Sequence, residues 1–222
     1  MNGLLLTMTE PPPQMEEEFN AWYDSEHLPE RLSIPGFASA RRWVDPQAPL
    51  GSGKYLATYE LDSPQILQTP EYLAHVGEHF TPWSRRCLSR CLLFRRWACA
   101  QIFPGDAAPS TEASALFLAC GDVPAEHESE FTRWYDTEHL PLLCAVPGVL
   151  RVRRFLAAEG EPRYIALYDL ADAGSVGSAP WKAALATPWA QRIDTLTRDQ
   201  EWILATYVAY AAAAAGTEHG KA

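Results

Sequence analysis

The sequence has no apolar run approaching the ~20 residues of a membrane-crossing helix. Its opening GLLLTM segment (3–8) lacks the length and basic flank of a signal peptide. Cations are scarce: 18 Lys and Arg stand against 28 Asp and Glu, giving a net charge of −10 and a pI near 5.0. Such a balance argues against a nucleic-acid partner, whose phosphates need a basic surface. The five cysteines include no CxxC pair, and no His/Cys set has zinc spacing. Cys87 and Cys91 lie one helical turn apart, and Cys144 interrupts the second copy's loop. Reduced, buried thiols in a cytoplasmic protein account for all five. GxGxxG, P-loop, GxSxG and HExxH motifs are absent, so nucleotide, serine-hydrolase and zincin chemistry have no support. The reading therefore carries no metal, no cofactor, no nucleic acid and no membrane.

What is present is a repeat. Residues 19–37 read FNAWYDSEHLPERLSIPGF and residues 131–149 read FTRWYDTEHLPLLCAVPGV. Ten identities share one offset of 112, among them Trp22/Trp134, Tyr23/Tyr135, Asp24/Asp136, Glu26/Glu138 and His27/His139. Arg41 and Arg42 match Arg153 and Arg154, KYLATYEL (54–61) matches RYIALYDL (163–170), and TPW (81–83) matches TPW (187–189). The offset drifts to 109 and then 106, as loops lose residues while elements persist. Two copies of a unit of roughly 110 residues make up the chain, too few and too long for a solenoid.

Period and breakers place the elements. An apolar run at 3–9 predicts a strand, closed by the prolines of 11–13. Met15, Phe19, Trp22, Tyr23 and Glu26 have helical spacing over 14–27. Pro29 predicts that this helix ends near His27. Strands at 37–45 and 54–61, a helical region at 64–90 and a strand at 92–103 complete a β-α-β-β-α-β unit. The second copy repeats it with strand 115–121, helix 125–139, strands 149–157 and 163–170, helix 178–198 and strand 201–210. The division is a first repeat at 1–104, a linker at 105–113, a second repeat at 114–212 and a disordered tail at 213–222. Two helices cover one face of such a sheet. The other face is too apolar for water, so the fold class is α+β, with two ferredoxin-like units packed sheet to sheet.

WYDxEHLPxxxxxPG within such a unit resembles the EthD-like branch of the dimeric α+β barrel superfamily, and the likeness covers nearly the whole chain. The resemblance implies an intramolecular barrel, either a monomeric pseudo-dimer or a homodimer, with a small-molecule pocket in each half. It also implies a range of chemistries: lyases, isomerases, polyketide cyclases and cofactor-free or haem-dependent oxygenases. TPEYLAHVGEHF (69–80) is similar to the second helix of stress-responsive barrel proteins and plant polyketide cyclases, which points to His75 and Tyr72 as an acid/base pair.

On a helical wheel, Glu26 falls at the centre of the apolar stripe, where a carboxylate needs a partner. Arg41 and Arg42 are the candidates and point to opposite strand faces, so one at most reaches it. Glu26 is then either a structural staple or a carboxylate with a raised pKa. Asp24 and His27 share a flank, either as a capping pair or as an oriented acid/base. Asp136, Tyr135 and His139 repeat the set. His75 and His79, one turn apart, occur in the first copy alone and are read as a surface pair, a pocket-facing acid/base or a metal pair lacking a third ligand. Trp83 and Trp189 either pack the second helix or line a pocket.

The function expected is a cofactor-independent lyase, isomerase or cyclase acting on a hydrophobic, aromatic or polyketide-like substrate. Its catalytic residues are His27, Asp24, His75, Tyr72 and His79, and its substrate-binding residues are Trp22, Tyr23, Glu26, Arg42 and Trp83. A non-catalytic ligand-binding protein and an oxygenase are the alternatives. For a haem oxygenase the axial ligand would be His75 or His79.

Overall fold

Leu4, Leu6 and Met8 alternate with Leu5, Thr7 and Thr9 along β1 (Gly3–Glu10), and a strand sends such residues to opposite faces. The same alternation builds β2 (Phe37–Val44), β3 (Tyr55–Leu61), β4 (Leu93–Phe103), β5 (Ala115–Gly121), β6 (Val149–Glu159), β7 (Tyr164–Leu170) and β8 (Trp202–Ala209). The computed structural model describes residues 2–211; the tail at 213–222 lies outside them. The eight strands form one closed antiparallel barrel in the order β1-β3-β2-β8-β5-β7-β6-β4. Each half contributes four consecutive staves. The halves join along two unequal seams: β4 with β6 over five residue pairs, and β2 with β8 over two.

Closure removes every sheet edge and buries one face of each sheet inside the barrel. Leu4, Leu6 and Trp97 from the first half meet Leu118, Phe155 and Leu167 from the second there, all fully buried. The outer faces carry two further cores under the helices, one per half. The helices are α1 (Glu16–Trp22), α2 (Leu28–Ser33), α3 (Pro70–Leu73), α4 (Pro82–Arg90), α5 (Glu128–Trp134), α6 (Leu140–Cys144), α7 (Ala179–Leu185) and α8 (Pro188–Thr197).

The expected helix end at His27 is corrected. Residues Tyr23–His27 form a π-helical turn that carries α1 into α2, and Tyr135–His139 do the same between α5 and α6. The Leu28 amide reaches back five residues to the Tyr23 carbonyl. Pro29 has no amide to lose, and it sits in the first turn of α2, where proline is tolerated. The chain turns only at Gly36 and Gly148, each at positive φ after its proline.

The wide turn also moves residues off the ideal wheel. Asp24 pairs with Arg42 rather than with His27, and Asp136 pairs with Arg154. Both guanidiniums lie over tyrosine rings, Arg42 4.3 Å from Tyr23 and Arg154 4.2 Å from Tyr135. Glu26 has neither arginine. Its carboxylate accepts from Thr81 Oγ1 (2.5 Å) and Ser84 Oγ (3.2 Å) at the start of α4. Glu138 likewise accepts from Thr187 Oγ1 at 2.5 Å. Thr81 and Thr187 also cap α4 and α8, accepting the amides of Ser84 and Ala190 at 3.0 Å. Arg41 points into the barrel and donates to the carbonyls of Ser110 and Ala113. Two repeated motifs far apart in the chain, WYDxEH and TPW, thus bond to each other in each half.

Arg42 is almost fully buried, so removing Asp24 leaves a desolvated charge short of its strongest acceptor. We expect Asp24→Ala and Asp136→Ala each to lower unfolding free energy by about 2 kcal/mol in urea titrations. Glu126→Ala at an exposed site should change it by less than about 0.5 kcal/mol.

Candidate functional site

Each half holds a cavity between the outer sheet face and the helices. The first-half cavity measures about 550 Å³ and the second-half cavity about 490 Å³, both within the range of small-molecule sites. Trp22, Tyr23, His27 and Tyr59 line the first, and Trp134, Tyr135, His139 and Tyr168 hold the matching places in the second. The π turn aims these residues inward. It brings the His27 ring to 4.6 Å from Trp22 and 4.9 Å from Tyr23. The equivalent spacings at His139 are 4.3 and 4.6 Å.

In the first half, Tyr23 and Tyr59 share a 2.5 Å hydrogen bond. Burial raises both phenols, so both stay protonated. Only one of their two O–H groups is consumed between them, which leaves one to donate. His27 is pushed down to about 3, first by burial and then by the charges of Arg31 and Arg42. Its Nδ1 is buried without a partner. Arg31 lies four residues on and lines the same cavity; its side chain is 2% exposed. Its Nη2 donates to Glu30 (2.9 Å) and to the His75 carbonyl (2.6 Å), while Nε and Nη1 have no partner. Arg96 lines the rim, paired with Glu159 of β6 and 3.4 Å from the Tyr72 hydroxyl.

The second cavity differs. Tyr168 is bonded both to Tyr135 (3.1 Å) and to His139 Nε2 (3.2 Å). Burial and Arg154 push His139 down to about 3. Among the described residues its one lining cation, Arg198, is exposed at the edge. Leu143 occupies the place of Arg31, and the aromatic rings of Phe117, Trp181 and Trp202 form the walls.

Of the residues expected at the site, Trp22, Tyr23, His27 and Tyr72 line the first cavity, and Tyr135 and His139 line the second. Asp24, Asp136, Glu26 and Arg42 lie behind the walls as tethers. Trp83 packs on the first-half core and lines neither of these two cavities. His75 and His79 are not on one helix: His75 follows α3, and His79 ends a separate short turn. Neither lines either of these two cavities. His75 Nδ1 instead contacts Glu30 at 2.8 Å, and His79 is exposed. The haem reading therefore has no axial ligand from that pair. Among the described residues, no group of three or more His, Cys, Asp or Glu could hold a metal ion, and no helix is long and apolar enough to cross a membrane. Arg31 and Arg96 escaped the sequence reading. The available signal was a mismatch, Arg31 against Leu143, inside an otherwise matched motif.

The chain has the fold of dimeric α+β barrel proteins. An anthrone oxidase-like protein superposes with a TM-score of 0.62 at 14% identity, over 95% of this chain and 91% of that one. A chlorite dismutase variant from Candidatus Nitrospira defluvii gives 0.58 at 9% identity, over 93% and 90%. A candidate monooxygenase from Lactobacillus acidophilus gives 0.57 at 9% identity, over 94% and 93%. No protein-family model and no curated protein sequence matches the chain. Identities this low establish a shared architecture and leave chemistry to the cavities.

Two histidines with lowered pKa, His139 buried and His27 half-buried, make stability depend on pH. Unfolded, each takes a proton near 6.5; folded, each stays neutral down to about 3. Between those values the unfolded state binds more protons, so stability falls as pH drops from 6.5 towards 3. We expect a loss of about 1 kcal/mol per pH unit per histidine in that window. His139→Gln should flatten the slope of stability against pH measured by denaturant titration.

Proposed function

We propose that the chain is a cofactor-independent small-molecule enzyme that works in the first-half cavity by proton transfer. The observation that carries this reading is the pair of unpartnered Arg31 nitrogens beside a neutral histidine in a cavity of about 550 Å³. A guanidinium with two free donors holds a carbonyl or phenol oxygen and stabilises it as an enolate or phenolate. His27, neutral across the physiological range, accepts the proton that leaves. Burial first, and then the charges of Arg31 and Arg42, keep its basicity low. A negative oxygen settling on Arg31 offsets part of the smaller, charge-based cause, so base strength rises as the anion forms. The Tyr23–Tyr59 pair supplies one further donor, and Trp22, Tyr72 and Phe94 present flat apolar surface for an aromatic or polyketide-like body. Elimination, isomerisation or ring closure follows from such an anion, which supports a lyase, isomerase or cyclase reading.

A second reading shares this first step. The likeness to an anthrone oxidase-like protein and a candidate monooxygenase favours reaction of the carbanion with dioxygen in the same cavity. Oxygen uptake with a quinol-like substrate separates the two.

WYDxEHLP supports a place near the EthD-like branch, and the single-chain barrel is read as a duplicated unit doing the work of two subunits. Five free thiols support a cytoplasmic setting.

For a substrate found by screening enolisable aromatics, His27→Ala and Arg31→Met should each reduce kcat/KM by about a hundredfold or more. His139→Ala should stay within about twofold. The kcat/KM profile should show no limb near pH 6.5 from His27, because the free enzyme holds it neutral there. Undiminished turnover in both His27→Ala and Arg31→Met would remove the assignment.

A further inference from the structure

The register of the barrel lets the two cavities be compared wall by wall. On the strands, Thr7 and Thr9 of β1 stand where β5 has Ala119 and Gly121, and Arg96 of β4 stands where β8 has Leu204. On the helices, Arg31 stands where Leu143 is. All four positions are polar in the first half and apolar or bare in the second. The replacements are not random losses. Gly121 leaves the space that the Trp202 ring fills, since a Cβ there would come within 2.4 Å of it. Trp181 stands edge-on to Phe117, 5.3 Å between centroids at 86°, so the second cavity has two extra indoles set as walls.

Its polar groups are spent or neutral. The Tyr168 hydroxyl contacts two partners, and His139 carries no charge at neutral pH. The charged side chains at its edge, Asp194 and Arg198, are exposed and of opposite sign. An ion in this cavity would lose its hydration without a counter-charge, whereas a flat uncharged ring system would gain burial and edge contacts with the indoles.

We propose that the second-half cavity is a binding site for an uncharged aromatic molecule of two or three rings, separate in selectivity from the oxyanion-binding first half. The two halves then sort ligands by charge within one frame. The inference uses the second cavity's own walls and holds whatever reaction the first half performs.

Two probes of matched shape test it: 1-naphthamide, which is neutral, and 1-naphthoate, which is anionic. Calorimetric titration of the full chain at pH 7 should show naphthamide binding that weakens at least tenfold in Ala119→Phe, which fills the cavity. The partly exposed wall variant Trp202→Ala should weaken it to a similar degree, which guards against a misfolded first variant. Arg31→Leu should leave naphthamide binding within twofold while reducing naphthoate binding at least tenfold. No naphthamide binding at millimolar concentration would overturn the proposal, as would binding indifferent to both second-cavity variants or an equal loss of naphthoate in them. Naphthoate binding unchanged in Arg31→Leu would overturn the sorting of ligands by charge between the halves.

Discussion

The motif side chains that face each cavity are positioned over a buried guanidinium. Arg42 and Arg154 lie beneath the helices, nearly without solvent, each paired with the first carboxylate of its π turn and set against a tyrosine ring. A charge so placed is costly unless its partner is present. The helix can therefore settle on the sheet in one rotation only, with Asp24 or Asp136 over the arginine. That rotation carries Tyr23 and His27, or Tyr135 and His139, to the cavity side. The Glu26–Thr81 and Glu138–Thr187 bonds then hold the second helical layer to the first.

Within this doubled frame the cavities have diverged. The tethers, the tyrosine pair and the neutral histidine occur in both halves, whereas the buried Arg31 lines only the first and the second has the exposed Arg198 at its edge. The frame fixes backbone and ring positions in both halves, while other wall positions differ, as at Arg31 against Leu143 and Arg96 against Leu204. Glu30 and His75 act at one remove, by holding the Nη2 end of Arg31 and leaving Nε and Nη1 unpaired.

Much of the strand pattern was legible in the sequence, since alternation and proline breaks are local signals. The helix end was not. A proline argues for a stop by the rules of an α-helix, and a five-residue turn satisfies those rules differently. The same turn explains why the wheel paired Asp24 with His27 and put Glu26 in the apolar stripe: an ideal 100° step fails across a π turn. His75 drew attention as an unmatched histidine, but its side chain faces Glu30 rather than a cavity. Arg31 drew none, because an arginine in LPERLS reads as an ordinary solvated helix residue.

By itself the sequence determined that one unit occurs twice, which residues alternate in each strand, and which motif residues must recur together, because identities and periodicity are written along the chain. Only the tertiary structure decided what those recurring residues do. Whether a carboxylate tethers or reacts, and whether an arginine is solvated or lines a cavity, depends on burial and on partners distant in sequence. WYDxEH divides accordingly: its acids tether helix to sheet, and its tyrosine and histidine face the cavities.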